Sequence, residues 1–208
     1  MARYTGSVCR LCRRLGDKLY LKGEKCFTPK CAFERRPYPP GQRSTRRRKV
    51  SDRGLQWREK QKARAVYGIL EAQFHKYYEE AVRRHGVTGE ILLRTLELRI
   101  DNVVYRLGCA DSRNQARQLV RHGHITVNGR KSGIPSHVLK PGDEVGWTSR
   151  GRNSEYFKIV SETAQSKSIP SWLTLDLANM TGRVVTVPEM EEIGAKFNPA
   201  TIVEYYSR

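Results

Sequence analysis

The most regular alternation of apolar and polar positions lies between residues 51 and 122. Ser51 or Asp52 can cap a helix running through Trp57 to about Tyr67, and Gly68 interrupts it. Phe74, Tyr77, Tyr78, Ala81 and Val82 then recur at helical spacing, predicting a second helix over about Glu71 to Arg84, stopped by Gly86. Thr88 offers a cap without the acidic residue three places on. Ile91, Leu92, Leu96, Ile100, Val103, Val104 and Leu107 continue the helical period to Gly108, as two helices or one bent one. Ser112 starts a further helix to His122, closed by Gly123.

Beyond that point the period shortens. Ile125 and Val127 alternate with polar residues, and Asn128-Gly129 is a tight-turn signal. Val138 to Val145 holds a second turn at Pro141-Gly142-Asp143, while Ile169–Leu173 and Val184–Pro188 read as short extended pieces. Residues 201–206 suit a closing helix or strand. Residues 1–36 show little period and read as a compact knuckle held by something other than an apolar core. Pro37 to Gly41 should be extended, because a residue before proline is pushed out of the α region. The basic run from Arg43 to Lys49 reads as a segment that orders on a phosphate backbone.

Cysteine spacing explains how such a knuckle could hold. Cys9 and Cys12 are separated by two residues, Cys26 and Cys31 by four, and thirteen residues lie between the pairs. Two close pairs on tight turns, joined by a short loop, supply four thiolates to one tetrahedral site. Nine Lys or Arg between Arg10 and Arg36 favour the thiolate form. A structural zinc is the expected occupant, with an iron–sulfur cluster or disulfides as alternatives. All four candidate ligands are cysteine, which leaves no open position for a catalytic metal. Cys109 stands outside the set and reads as a small buried hydrophobe.

Charge narrows the partner. The chain has 208 residues, room for one large domain or two small ones, and carries a net +18. Residues 1–64 contribute 20 basic and 5 acidic side chains, and residues 99–133 contribute 7 and 2. The remaining stretches are close to neutral. A merely solvated surface would mix its signs more evenly, so two segments are read as meeting a polyanion. Nucleic acid is favoured over membrane, because the basic stretches lack the apolar face of an interfacial helix. Mean hydropathy is −0.65, and neither a spanning segment nor an apolar leader is seen, so a soluble cytoplasmic protein is expected.

The cations of these segments are the candidate RNA contacts. In the first they are Arg3, Arg10, Arg13, Arg14, Lys22, Lys30, Arg35, Arg36, Arg43, Arg46, Arg47, Arg48, Lys49, Lys60, Lys62 and Arg64. In the second they are Arg113, Arg117 and Arg121, spaced by four along one helical face, with His122, His124, Asn128 and Arg130 around the following turn. Such a surface suits phosphates and the wide minor groove of RNA. The plain alternative is a solvated arginine face. Tyr4, Tyr20, Phe27, Phe33 and Tyr38 lie among cations and could stack on bases, or instead fill a small core beside the cysteines.

SRNQARQLVRHGHITVNGR at Ser112–Arg130, with KPGDEV at Lys140–Val145, resembles the small RNA-binding module named after the fourth small-subunit ribosomal protein. Cys9 to Cys12, RRPYPPGQ at Arg35–Gln42, EKQKAR at Glu59–Arg64, LRIDNVVYRLG at Leu98–Gly108 and IVEYYSR at the C-terminus extend the resemblance to the bacterial form of that ribosomal family, in its version with four zinc-binding cysteines. One departure is Arg43-Ser44, where the family usually has His-Gly. The resemblance implies an α+β fold. A zinc knuckle with a basic extension would occupy 1–50 and a helical domain 51–98, to which a tail of about 190–208 returns. An α/β RNA-binding module and flanking strands would occupy 99–189.

The same resemblance implies a non-enzymatic constituent of the small ribosomal subunit, working in the cytoplasm. It would bind 16S ribosomal RNA early at a multi-helix junction of the 5′ domain and nucleate assembly of the subunit body. It would touch the fifth small-subunit protein, at an interface affecting translational accuracy, and the third. It would sit near the point where mRNA enters. Two rivals are weaker. An RNA-modifying enzyme needs a positioned base or nucleophile, and His75, His85, His122, His124 and His137 show no such partnership in sequence. A zinc-finger transcription factor would need Cys–His spacing, which is missing.

Overall fold

The computed structural model describes residues 3–42 and 49–207. Arg43, Arg46, Arg47 and Arg48, and with them the Arg43-Ser44 departure, lie outside the described residues. The chain divides into two units, residues 1–93 with 195–208, and residues 94–194.

In the first unit, helix α1 (Val8–Leu15) is followed by a 3-10 turn at Gly23–Cys26 and a short helix α2 (Ala32–Arg35). Val8, Leu11, Cys12 and Leu15 recur on one face of α1 and pack with Leu19, Leu21 and Phe33. The region is therefore more regular than its sequence suggests, although its apolar cluster is small. Helix α3 (Asp52–Val66) is capped by Ser51, whose side chain accepts from the Gly54 N–H at 3.3 Å. Helix α4 (Glu71–Arg83) buries Phe74, Tyr77 and Ala81. Helix α5 (Thr88–Glu97) begins at Thr88, and the last residues form helix α11 (Pro199–Tyr206) against α3. Asn198 caps α11 through the Ala200 N–H, and Tyr206 stacks on Tyr78 with ring centres 4.6 Å apart.

The second unit opens with helix α6 (Ile100–Arg106) and helix α7 (Arg113–Arg121), packed together. The apolar run from Ile91 to Leu107 is thus two helices, broken at Leu98-Arg99. There the chain pairs outward: the Leu139 N–H donates to the Leu98 carbonyl and the Ile100 N–H to that of His137. Ser112 caps α7 through the Gln115 N–H. Strands β1 (Ile125–Val127), β2 (Arg130–Lys131), β3 (Glu144–Trp147), β4 (Leu173–Asp176) and β5 (Thr181–Val184) form an antiparallel sheet in the order β2-β1-β3-β5-β4. Helix α8 (Ser149–Arg152), helix α9 (Glu155–Thr163) and helix α10 (Met190–Ile193) complete the unit. Its core joins Ile100, Val103, Val104, Leu107, Ala116 and Val120 to Ile125, Val145, Trp172 and Val184.

Two extended pieces shift from their expected places. Residues 169–173 and 184–188 meet the sheet only at Leu173 and Val184, which pair with each other. The strands run inward from that pair to a turn where Asp176 Oδ1 accepts the Ala178 N–H at 2.9 Å. Alternation at Leu173, Leu175 and Val184 sets this register, and the turn lacks a Gly or Pro signal. The structure is helices with a small antiparallel sheet, an α+β arrangement. No described helix is long and apolar enough to cross a membrane.

Candidate RNA-binding surface and cysteine cluster

The LRIDNVVYRLG stretch builds a buried ionic network beneath α7. Arg99 grips Asp101 through two hydrogen bonds, Nε to Oδ1 at 3.1 Å and Nη2 to Oδ2 at 2.8 Å. Arg117 Nη1 reaches the same Oδ2 at 3.1 Å. Glu97 has a fully buried side chain, contacted by Arg106 at 2.9 and 3.0 Å and by Asn102 Nδ2 at 2.7 Å. Arg113 donates from Nε to Asn102 Oδ1 at 2.7 Å and lies over the Tyr105 ring, 4.5 Å from its centre. Paired charges of this kind offset the large cost of taking ions out of water.

This network corrects the expected arginine stripe. Arg113 and Arg117 turn toward α6, and only Arg121 of the three is exposed. Lys60 also faces inward: it is 4% exposed and holds Glu71 at 2.6 Å. Lys60 therefore braces α3 against α4 and is not available to a phosphate. Arg64 meets Glu71 at 3.0 Å, and Lys62 bridges Asp17 at 2.7 Å and Glu59 at 2.8 Å. Burial pushes the Glu71 carboxyl up, but hydrogen bonds from Lys60 and Tyr206 outweigh it and leave the group below its usual range. Arg13 donates to the carbonyls of Arg36 and Tyr38, holding the proline-rich segment. Asn128 is exposed, yet its amide ties the hairpin to Asp143 and to the Glu144 N–H.

The remaining candidates face solvent. Arg3, Arg10, Arg14, Lys22, Lys30, Arg35, Arg36 and Lys49 are exposed in the first unit, and Arg121, His122 and Arg130 in the second. His124 is half-buried, and its Nδ1 has no hydrogen-bond partner among the described residues. Burial, followed by the charges of Arg150, His122 and Lys131, holds His124 below the ordinary imidazole range. Lys131 and Arg150 were missed as candidates. Lys131 adjoins Arg130 on the ribbon and was visible there; Arg150 comes from α8, whose sequence gave no pattern. His75 pairs with Glu79 at 3.3 Å, half-exposed and one helical turn apart, with no nucleophile beside it.

A phosphate beside His124 would reverse the electrostatic part of that shift. The complex would then take up a proton that the free protein does not hold. Affinity for RNA is therefore expected to rise as pH falls from about 7.5 toward 6 at fixed ionic strength, where imidazole titrates. His124→Gln should flatten this dependence in a filter-binding titration. Equal pH profiles for the two proteins would remove His124 from the surface.

The four cysteines of the knuckle line one small cavity, together with Val8, Lys18, Tyr20, Leu21, Lys22 and Phe33. Cys12, Cys26 and Cys31 are buried, Cys9 is partly exposed, and all are free thiols. Burial raises the Cys12 thiol, and the neighbouring Cys26, Cys9 and Cys31 raise it further. Cys26 Sγ accepts the Lys22 N–H at 3.4 Å. Four thiols are the kind of donor a soft, tetrahedral ion takes, but among the described residues no group of three or more His, Cys, Asp or Glu stands placed to hold a metal ion. Cys109 is buried in the second unit, with its thiol pushed up to about 11, as an inert core residue would be.

Residues 3–97 match the ribosomal protein S4/S9 N-terminal domain, and residues 98–145 match the S4 domain. The chain belongs to the ribosomal protein S4 family. Proteins named small ribosomal subunit protein uS4 are similar to it over their full lengths and its own. The identity is 56% for that of Pelotomaculum thermopropionicum, 55% for Heliobacterium modesticaldum and 53% for Thermus thermophilus. The S4 domain match covers α6, α7 and the β1–β2 hairpin, and so takes in both the buried arginines and the exposed Arg121, His122 and Arg130. The S4 family is structural rather than enzymatic.

Proposed function

We propose that this S4-family protein is a structural constituent of the small ribosomal subunit in the cytoplasm, a primary 16S rRNA binder that nucleates assembly of the subunit body and contributes to translational accuracy. The observation that carries it is full-length similarity to uS4 proteins, joined to exposed cations on the matched module. The mechanism is multi-point phosphate neutralisation by flexible cations on a rigid frame. Buried arginines hold α7 in place, and Arg121, Arg130 and Lys131 present charge around its end and the adjoining hairpin, with exposed His122 beside them. Phosphate contacts set position, while the shape of a folded junction supplies selectivity.

Zinc at Cys9, Cys12, Cys26 and Cys31 belongs to the same proposal. Four thiols around one cavity, beside Lys18 and Lys22, support it. The ion would hold the turns together where the apolar cluster is small, and would supply no chemistry beyond that. Metal analysis of purified protein is expected to give one zinc per chain; iron or none would overturn it. The fifth and third small-subunit proteins, and mRNA near its point of entrance, are the remaining proposed partners.

Binding to a 16S 5′-domain transcript is the direct test. If about eight phosphates are neutralised, log affinity should fall with log salt at a slope of about −6 to −7. Nanomolar binding that survives excess tRNA and duplex DNA is expected. Equal competition by all three would reduce the surface to non-specific charge.

A further inference from the structure

Phe27 is the most exposed large apolar side chain among the described residues, at 73%. It follows Cys26 in the 3-10 turn of the knuckle, and its position is fixed from both sides. Its N–H donates to the Glu24 carbonyl at 2.9 Å, the Thr28 hydroxyl donates to the Lys25 carbonyl at 3.2 Å, and the Cys31 N–H donates to the Thr28 carbonyl at 3.0 Å. The ring stacks on Tyr20 with centres 5.0 Å apart and planes inclined by 28°. Tyr20 is itself held in the left-handed region, at φ 52°, a conformation uncommon for a tyrosine. The ammonium groups of Lys18 and Lys196 lie 5.2 and 4.2 Å from the Tyr20 ring centre. Lys196 also donates to the Lys18 carbonyl at 3.3 Å, tying the tail to the knuckle. The first unit thus carries a fixed aromatic pair with an open outer ring among cations.

We propose that the open face of Phe27 is a stacking platform for one unpaired RNA nucleobase. This rests on the RNA-binding reading above. The sequence left Phe27 between core filler and base contact, and its exposure decides against core. A nucleotide fits the surroundings because it brings a flat π-face and a phosphate together. The phosphate can meet Lys22, Lys25 or Lys30, all exposed in the same loop, while Glu24 is the one carboxylate in the turn itself. An apolar protein partner would instead have to desolvate those ammonium groups. Preordering of the ring lowers the entropy lost on binding, as expected of a stacking site.

The test compares wild type, Phe27→Ala, Phe27→Leu and Phe27→Tyr for binding to the 16S 5′-domain transcript across a salt series. Stacking on an aromatic side chain is worth about 1–3 kcal/mol per base, so Phe27→Ala should weaken binding by about 5- to 150-fold. Phe27→Leu, apolar but not aromatic, should fall with it, and Phe27→Tyr should bind as wild type does. The salt slope should stay that of wild type, because no charge is removed. A shallower slope in the alanine variant would mean a collapsed knuckle, and the proposal would then be judged on the leucine and tyrosine pair. Ultraviolet cross-linking should place a nucleotide adduct on Phe27. Equal affinities for leucine and tyrosine variants, or an adduct-free Phe27 in a complex that forms, would overturn the platform while leaving the RNA reading in place. Failure of wild type to bind selectively would overturn both.

Discussion

Replacing Glu97 with alanine should cost the 94–194 unit about 3–5 kcal/mol, the penalty for breaking one side of a buried ion pair. The carboxylate is fully buried and is contacted by Arg106, Asn102 and, at 3.9 Å, Arg113. Without it the guanidinium of Arg106 loses both of its hydrogen bonds to the carboxylate and retains the one to the Ile193 carbonyl. Arg113 loses its orientation through Asn102 as well. Urea unfolding followed by Trp147 and Trp172, both buried in this unit, reports the change. As a comparison, Glu155→Ala breaks a solvent-exposed pair with Lys158 and should move the midpoint little. A Glu97 variant as stable as the Glu155 variant would show that the network is not structural. Because Arg113 is anchored through Asn102 and Glu97, and Arg117 through the adjacent Asp101, the Glu97 change should also weaken RNA binding by misplacing α7.

If the knuckle binds zinc as proposed, removing the ion is expected to release it with a larger effect still. Structural zinc in small domains contributes an apparent 10–16 kcal/mol, roughly, and here the competing apolar cluster is only Cys12, Leu15, Leu19 and Leu21 with partly buried neighbours. Hydrogen exchange before and after chelation is the measurement. Amides of α1, the 3-10 turn and α2 should lose protection, and those of β1, β3 and β5 should keep it. Cys26→Ser should mimic chelation, since a serine hydroxyl is a poor substitute for a soft thiolate. Unchanged protection in α1, once metal analysis confirms that zinc is gone, would mean that packing alone holds the knuckle.

Much of the fold was legible residue by residue. Ser51 and Ser112 cap the helices that follow them, Gly123 closes the α7 turn at φ 72°, and Asn128-Gly129 makes the hairpin. Such signals act within four or five residues, so local sequence carries them in full. Helix α1 was equally legible in principle. Val8, Leu11, Cys12 and Leu15 have helical spacing, but the stretch spans only two turns and its Cys9 and Cys12 carry a metal-ligand spacing on the same residues. The β4–β5 hairpin was displaced because its turn relies on Asp176 accepting backbone N–H groups rather than on Gly or Pro.

Sequence alone determined where the chain is cationic, which stretches are helical, and which family the chain resembles. Only the tertiary structure decided which cations are free to meet RNA. Arg113, Arg117 and Arg121 share one helical stripe by spacing, yet the first two point at acidic and amide groups from residues 97–102. Lys60 is likewise claimed by Glu71, on the next helix. Helical period follows from hydrogen bonds between near neighbours along one segment. The direction in which an arginine is satisfied depends on a carboxylate that another segment brings within about 3 Å, and no periodicity within the helix encodes that partner.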